Sequence, residues 1–151
     1  MRAPKPLPRA YPQVLATIGD HLLKRRLDLG LLQREVAERL GADTCSVTNW
    51  ELNRTSPALK FIPALVRFLG YLPFPAGDTL AEQLVAYRTA RGLSQGATAR
   101  LLGVDPATLS RWERGLRVPT GRYARRLQTA IQPDSRFPTP GPPDLRLSGV
   151  P

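Results

Sequence analysis

His21 and Cys45 are the single histidine and the single cysteine of the chain. The lone cysteine excludes an internal disulfide and any cysteine cluster for a metal. No glycine-rich phosphate loop is present, and the carboxylates fall at helix-cap or ion-pair positions, which leaves no pair for acid and base catalysis. What recurs instead is a polar set at one constant offset. Arg26 and Arg88, Gln33 and Gln95, Trp50 and Trp112, and Glu51 and Glu113 are each 62 residues apart. Guanidinium and amide groups bind anions rather than make or break bonds. The net charge is +10, and residues 1–75 and 76–151 each carry 11 basic and 6 acidic side chains. Taken alone, that balance fits either a polyanion touched by both halves or plain solubility.

These residues belong to a longer repeat. Residues 26–57 align with 88–119 without a gap and with 11 identities in 32 positions, among them Gly30/Gly92, Leu31/Leu93, Ala37/Ala99, Leu40/Leu102, Gly41/Gly103, Asp43/Asp105 and Pro57/Pro119. One supersecondary unit used twice accounts for this. In the first copy Leu15, Ile18, Leu22, Leu23 and Leu27 recur at spacings of 3 and 4, which predicts an amphipathic helix over 14–29 stopped by Gly30. A second helix over 32–40 ends at Gly41, and a third, capped by Asp43 or Thr44, runs to Leu52 with Val47 and Trp50 inward. Ser56-Pro57 signals a fourth helix reaching Leu69. The second copy predicts helices over 80–91, from a Ser94 cap to Gly103, from Asp105-Pro106 to Gly115, and from Pro119 to about Ile131.

The ends are different in kind. Residues 1–12 alternate Pro with basic and small residues, and the last 20 residues contain six prolines and no periodic apolar face. They are expected to be a flexible basic arm, with Arg2, Lys5 and Arg9, and a disordered tail. The organisation predicted is an arm over 1–12, a domain over 13–70, a linker over 71–79, a domain over 80–131 and a tail over 132–151. At roughly 55 residues, each unit is near the lower limit for folding alone. No apolar run approaches the ~18 residues of a membrane span, and the N-terminus lacks the apolar centre of a signal peptide. With one cysteine suited to a reducing compartment, the expectation is a cytoplasmic protein.

A short helix, a turn with glycine and a capped helix make the helix-turn-helix arrangement. Each copy resembles the lambda-repressor-like helix-turn-helix family, the Cro or XRE type. The resemblance rests on Arg26, Gly30, Leu31, Gln33, Ala37, Leu40, Gly41, Val47, Trp50 and Glu51. It rests again on Arg88, Gly92, Leu93, Ser94, Gln95, Ala99, Leu102, Gly103, Leu109, Trp112, Glu113 and Gly115. It covers roughly residues 17–69 and 80–131. The first copy departs from the pattern at Leu32, where a capping Ser or Asn is usual, and at Asn53, where Gly is usual.

The resemblance implies an all-α protein of two tandem four-helix domains with Pro-rich flexible tails, each reading duplex DNA with its third helix in the major groove. It implies phosphate contacts for Gln33 and Gln95, with Arg54, Arg114 and Arg117 flanking the third helices. Base contacts would fall to Thr44, Cys45, Thr48 and Asn49, and to Pro106, Ala107, Ser110 and Arg111. Arg111 suits guanine O6 and N7, Asn49 suits adenine N6 and N7, and Ala107 or Thr44 suits a thymine methyl. Arg26 with Glu51, and Arg88 with Glu113, would be structural ion pairs linking first and third helices.

The expected function is a sequence-specific double-stranded DNA-binding transcriptional regulator, a repressor by family habit and nucleoid-associated when bound. It would act as a homodimer or as an intramolecular pseudo-dimer, with no cofactor, metal, membrane or small-molecule ligand implied and no enzymatic activity. The alternative is an antitoxin-like protein-interaction module whose DNA binding is autoregulatory. Three arginines lie near the third helix of the second copy, against Arg54 alone in the first, so if only one unit binds DNA tightly it should be the second.

Overall fold

The computed structural model describes residues 11–131. Arg2, Lys5, Arg9 and the rest of 1–10, and the expected tail over 132–151, lie outside the described residues. Among the described residues the regular elements are eight α-helices and one 3-10 turn, with no strand. None of these helices is long and apolar enough to cross a membrane. Contacts divide the chain into two units, 1–57 and 58–151.

The first unit holds α1 (Ile18–Asp28), α2 (Gln33–Leu40) and α3 (Thr44–Glu51). Helix α1 starts four residues later than its apolar spacing suggests, because Thr17 and Asp20 form a reciprocal cap. The Thr17 hydroxyl accepts from the Asp20 N–H at 3.1 Å, and the Asp20 carboxylate accepts from the N–H groups of Ala16 and Thr17 at 3.0 and 3.1 Å. Tyr11, placed by its sequence in the arm, is tied down: its hydroxyl donates to Asp28 Oδ1 at 2.8 Å. Leu32 cannot cap α2 with its side chain, so Glu35 accepts from the Leu32 N–H at 2.7 Å instead. Asp43 caps α3, accepting from the Ser46 N–H at 2.7 Å. Helices α1 and α2 each pack on α3, and Leu22, Val36, Ala37, Leu40, Val47 and Trp50 are buried. At about 1.5–3 kcal/mol for each large apolar side chain, this burial is the main favourable contribution to the unit.

The second unit holds α4 (Ile62–Leu69), α5 (Leu80–Ala90), α6 (Gln95–Leu102), α7 (Pro106–Glu113) and α8 (Arg122–Ile131). Its core joins Leu84, Ala99, Leu102, Leu109, Trp112 and Leu127, with Val104, Tyr123 and Ile131 packed against it. Thr79, Ser94 and Asp105 cap α5, α6 and α7 by accepting from the N–H groups of Glu82, Ala97 and Thr108.

Helix α4 differs from its sequence reading in start and in grouping. It begins at Ile62 after a 3-10 turn over Leu59–Phe61, not at Ser56-Pro57. Pro63 explains the delay, since its ring clashes with the carbonyl four residues earlier and is tolerated only in a first turn. The helix packs on α5, and the turn before it abuts Gly92, where a Cβ would lie 2.9 Å from Pro63 Cγ and 3.1 Å from the Leu59 carbonyl oxygen. Contacts therefore group α4 with the second unit, whereas the sequence reading assigned it to a domain over 13–70. Helix α8 starts at Arg122 rather than Pro119 because Gly121, at φ 61°, interrupts the backbone between them.

Candidate nucleic-acid interface

A buried carboxylate organises each three-helix set. Glu51, with a side chain 3% exposed, sits at the end of α3 and accepts from Arg26 Nε at 2.6 Å and Arg26 Nη2 at 2.9 Å. Arg26 Nη1 donates to the Leu31 carbonyl at 3.1 Å, and Gln33 Nε2 donates to Glu51 Oε2 at 2.9 Å. One carboxylate thus ties together α1, the turn before α2, the first residue of α2, and α3. The second unit has the same bonds 62 residues on. Arg88 Nε and Nη2 donate to Glu113, Arg88 Nη1 donates to the Leu93 carbonyl at 3.3 Å, and Gln95 Nε2 donates to Glu113 Oε2 at 2.6 Å. Bidentate, charge-assisted geometry fixes the angle between the helices of each turn.

These bonds change the standing of the two glutamines. Gln33 directs its donor end at Glu51, and its Oε1 accepts from the Thr48 hydroxyl at 2.8 Å. The Thr48 hydroxyl also reaches the Thr44 carbonyl at 3.0 Å. Gln33 thus uses its carbonyl oxygen and one of its two amide N–H donors within the unit, and the second N–H has no partner among the described residues. Gln95 likewise gives one N–H to Glu113, but no side-chain bond from Ser110 reaches its carbonyl oxygen among the described residues.

What the network leaves outward is the far face of α3 and α7. Thr44 and Cys45 are exposed and Thr48 and Asn49 half-buried; Pro106, Ala107 and Arg111 are exposed and Ser110 half-buried. Asn49 Nδ2 rests on Cys45 Sγ at 3.7 Å, which marks the two as neighbours on one face. Arg54, Arg111, Arg114 and Arg117 are all exposed, and none pairs with a carboxylate among the described residues. Arg111 and Arg117 flank a shallow polar cleft of about 190 Å³ whose wall includes Thr108, Thr120 and Tyr123. Two unpaired guanidiniums beside hydroxyls make a seat for an anion.

The caps add local charge of the opposite sign. Hydrogen bonds from Ser46 hold the Asp43 carboxyl below the usual range, and bonds from Thr108 do the same for Asp105. Both are thus fixed anions at the starts of α3 and α7, where the helix dipole favours them.

Sequence reasoning did not single out a second joint in the first unit. Asn53, with φ 58°, accepts from the Thr17 hydroxyl at 2.7 Å and donates to Asp20 Oδ1 at 3.0 Å. The Thr-x-x-Asp pattern at 17–20 was the available signal for the cap, but nothing local in the sequence couples it to a residue 36 positions away.

Residues 84–132 match the family model described as helix-turn-helix, of the XRE type, in one copy. That segment runs from within α5 to the end of α8. That family is one of DNA-binding regulatory domains, typically non-enzymatic, and the match suggests a DNA-binding regulator. No curated protein and no solved structure matches the chain.

Proposed function

We propose that this chain is a sequence-specific regulator of transcription that binds duplex DNA through two tandem helix-turn-helix units, reading the major groove with α3 and α7 and acting as a repressor in the cytoplasm. The observation that carries the reading is the set of unpaired arginines on and after α7, Arg111, Arg114 and Arg117, on a helix held at a fixed angle by the Arg88–Glu113–Gln95 bonds. A rigid helix with a free guanidinium facing outward is what bidentate guanine recognition needs. Arg117 and the hydroxyls near it would take the flanking phosphate, and Arg54 and Arg114 would add phosphate contacts that position the protein.

The equivalent bond set around Glu51 supports a second reading head in the first unit. There the outward set is Thr44, Cys45 and Asn49, suited to a thymine methyl and to adenine, so the two heads would prefer different sequences. Gln33 and Gln95 act in this scheme first as positioning groups. Each amide gives one N–H to its glutamate, which leaves the second N–H for a phosphate.

Selection of the intact protein against a random duplex library at about 150 mM salt tests the proposal, because electrostatic binding without sequence reading fades with salt. Enrichment of two short motifs about one helical turn apart is expected. One motif only would remove the first unit from DNA reading. No enrichment would sink the proposal and bring forward a protein partner.

A further inference from the structure

The two units differ where the first helix of each meets the end of the third. In the first unit this joint is shut. Gly19 is so close to α3 that a Cβ there would lie 1.9 Å from the Trp50 carbonyl oxygen, and the Asn53 amide fills the remaining space, bonded to Thr17 and Asp20. Sixty-two residues on, Gly19 becomes Ala81 and Asn53 becomes Gly115. Ala81 carries the methyl that the close approach forbids. Gly115 has no side chain to reach Thr79 or Glu82, and a Cβ there would meet nothing within 4 Å.

The result is a half-open cleft of about 290 Å³, its walls formed by Leu80, Ala81, Leu84, Trp112, Val118 and Pro119. At its rim are Arg117, which has no acidic partner among the described residues, and Thr79. In the first unit the equivalent hydroxyl proton, that of Thr17, goes to Asn53. The Thr79 hydroxyl accepts from the Glu82 N–H at 3.2 Å and is itself hydrogen-bonded to the Glu82 carboxylate. That carboxylate also accepts from the N–H groups of Asp78 and Thr79 and makes no ion pair with Arg117 among the described residues.

We propose that this cleft binds a small carboxylate with a single-ring apolar body, the ring against Trp112 and Leu84 and the carboxylate on Arg117, and that occupancy draws Arg117 away from DNA. The volume lies at the lower end of small-molecule sites, which limits the ligand to about one ring. The apolar walls require an apolar body, and a guanidinium with no carboxylate partner among the described residues suits an anionic head. The coupling to DNA rests on the function proposed above; the site itself does not.

Phenylacetate is the probe, with 2-phenylethanol as its uncharged counterpart, added to the intact isotopically labelled protein. The two tryptophans report separately, Trp112 at the cleft and Trp50 as the internal control. A shift of the Trp112 indole N–H alone is expected, with a Kd of about 1 mM, the range open to a ligand of roughly ten heavy atoms. It should be lost in Gly115→Asn, which restores the first unit's clamp at a backbone conformation Asn already adopts at position 53, and weakened in the exposed variant Arg117→Gln. No shift, an equal shift at Trp50, or an equal response to 2-phenylethanol overturns the site. Coupling predicts that phenylacetate lowers affinity for the selected duplex by on the order of fivefold. A Trp112 shift with unchanged duplex affinity overturns the coupling and leaves the site standing.

Discussion

Thr17 and Asn53, 36 residues apart, are joined by a 2.7 Å hydrogen bond in which the hydroxyl donates and the Asn53 carbonyl accepts. The same amide donates to Asp20, whose carboxylate caps α1, so helix cap and helix clamp are one network. Burial pushes the Asp20 carboxyl up, but the bonds from Asn53, Ala16 and Thr17 outweigh it and hold it below the usual range. Local capping and long-range packing therefore reinforce each other at this corner.

Replacing Asn53 with Gly keeps the left-handed backbone, where φ is 58°, and removes only the amide. Two partly exposed hydrogen bonds are lost, so the first unit should lose about 1–2 kcal/mol. Urea titration followed at the Trp50 indole resonance measures this, with Trp112 as reference. An unmoved midpoint at Trp50 would show that the clamp follows the packing rather than supporting it.

Breaking a buried ion pair leaves one charge stranded. Glu113→Gln should therefore destabilise the second unit by about 3 kcal/mol, since Arg88 loses the acceptor of its Nε and Nη2 donors. Arg88→Met combined with Glu113→Gln should cost less than the sum of the single changes. Strict additivity in denaturant midpoints would contradict the network described here.

Much of this architecture is legible in the chain itself. Gly41 and Gly103 end α2 and α6 at φ 69° and 71°, where punctuation alone places them, and Asp43, Ser94 and Asp105 cap as their residue types suggest. These features depend on neighbours within a turn. The start of α4 departs from the Ser56-Pro57 signal because Pro63, not Pro57, sets the first turn. Its grouping with α5 was hidden because long-range packing leaves no periodic mark. The same holds for the site. Arg111 stands out by type and spacing, whereas the engagement of Gln33 by both Glu51 and Thr48 depends on tertiary approach that no local pattern encodes.

Stability should fall with acid in two windows. Burial lowers the His21 imidazole from its ordinary value of 6.5, so the unfolded chain binds a proton more readily than the native one, and stability is lost as pH drops below about 6.5. Asp20, Asp43 and Asp105 are lowered from 3.8 by hydrogen bonds. Their contribution is complete above roughly pH 4 and is lost as pH falls through the depressed native values. Asp43→Asn caps nearly as well without titrating, so it should flatten the lower window only, and His21→Gln the upper. Denaturant midpoints from pH 7 to 2 decide this; a single window unaffected by His21→Gln would refute the buried-imidazole account.

Base-reading and phosphate-binding arginines leave different signatures. Arg111, on the outward face of α7, should behave as a reader: Arg111→Ala should cost about 1–3 kcal/mol on the preferred duplex and relax the motif at one base position. The Arg114 side chain donates to the Ser110 carbonyl at 3.4 Å and pairs with no carboxylate among the described residues, and it should behave as a phosphate contact. Arg114→Gln should weaken all duplexes alike and reduce the slope of log affinity against log salt by about 1. Binding isotherms for the selected and a scrambled duplex at several salt concentrations separate the two. If Arg111→Ala lowered both duplexes equally, α7 would be lying along the backbone rather than in the groove.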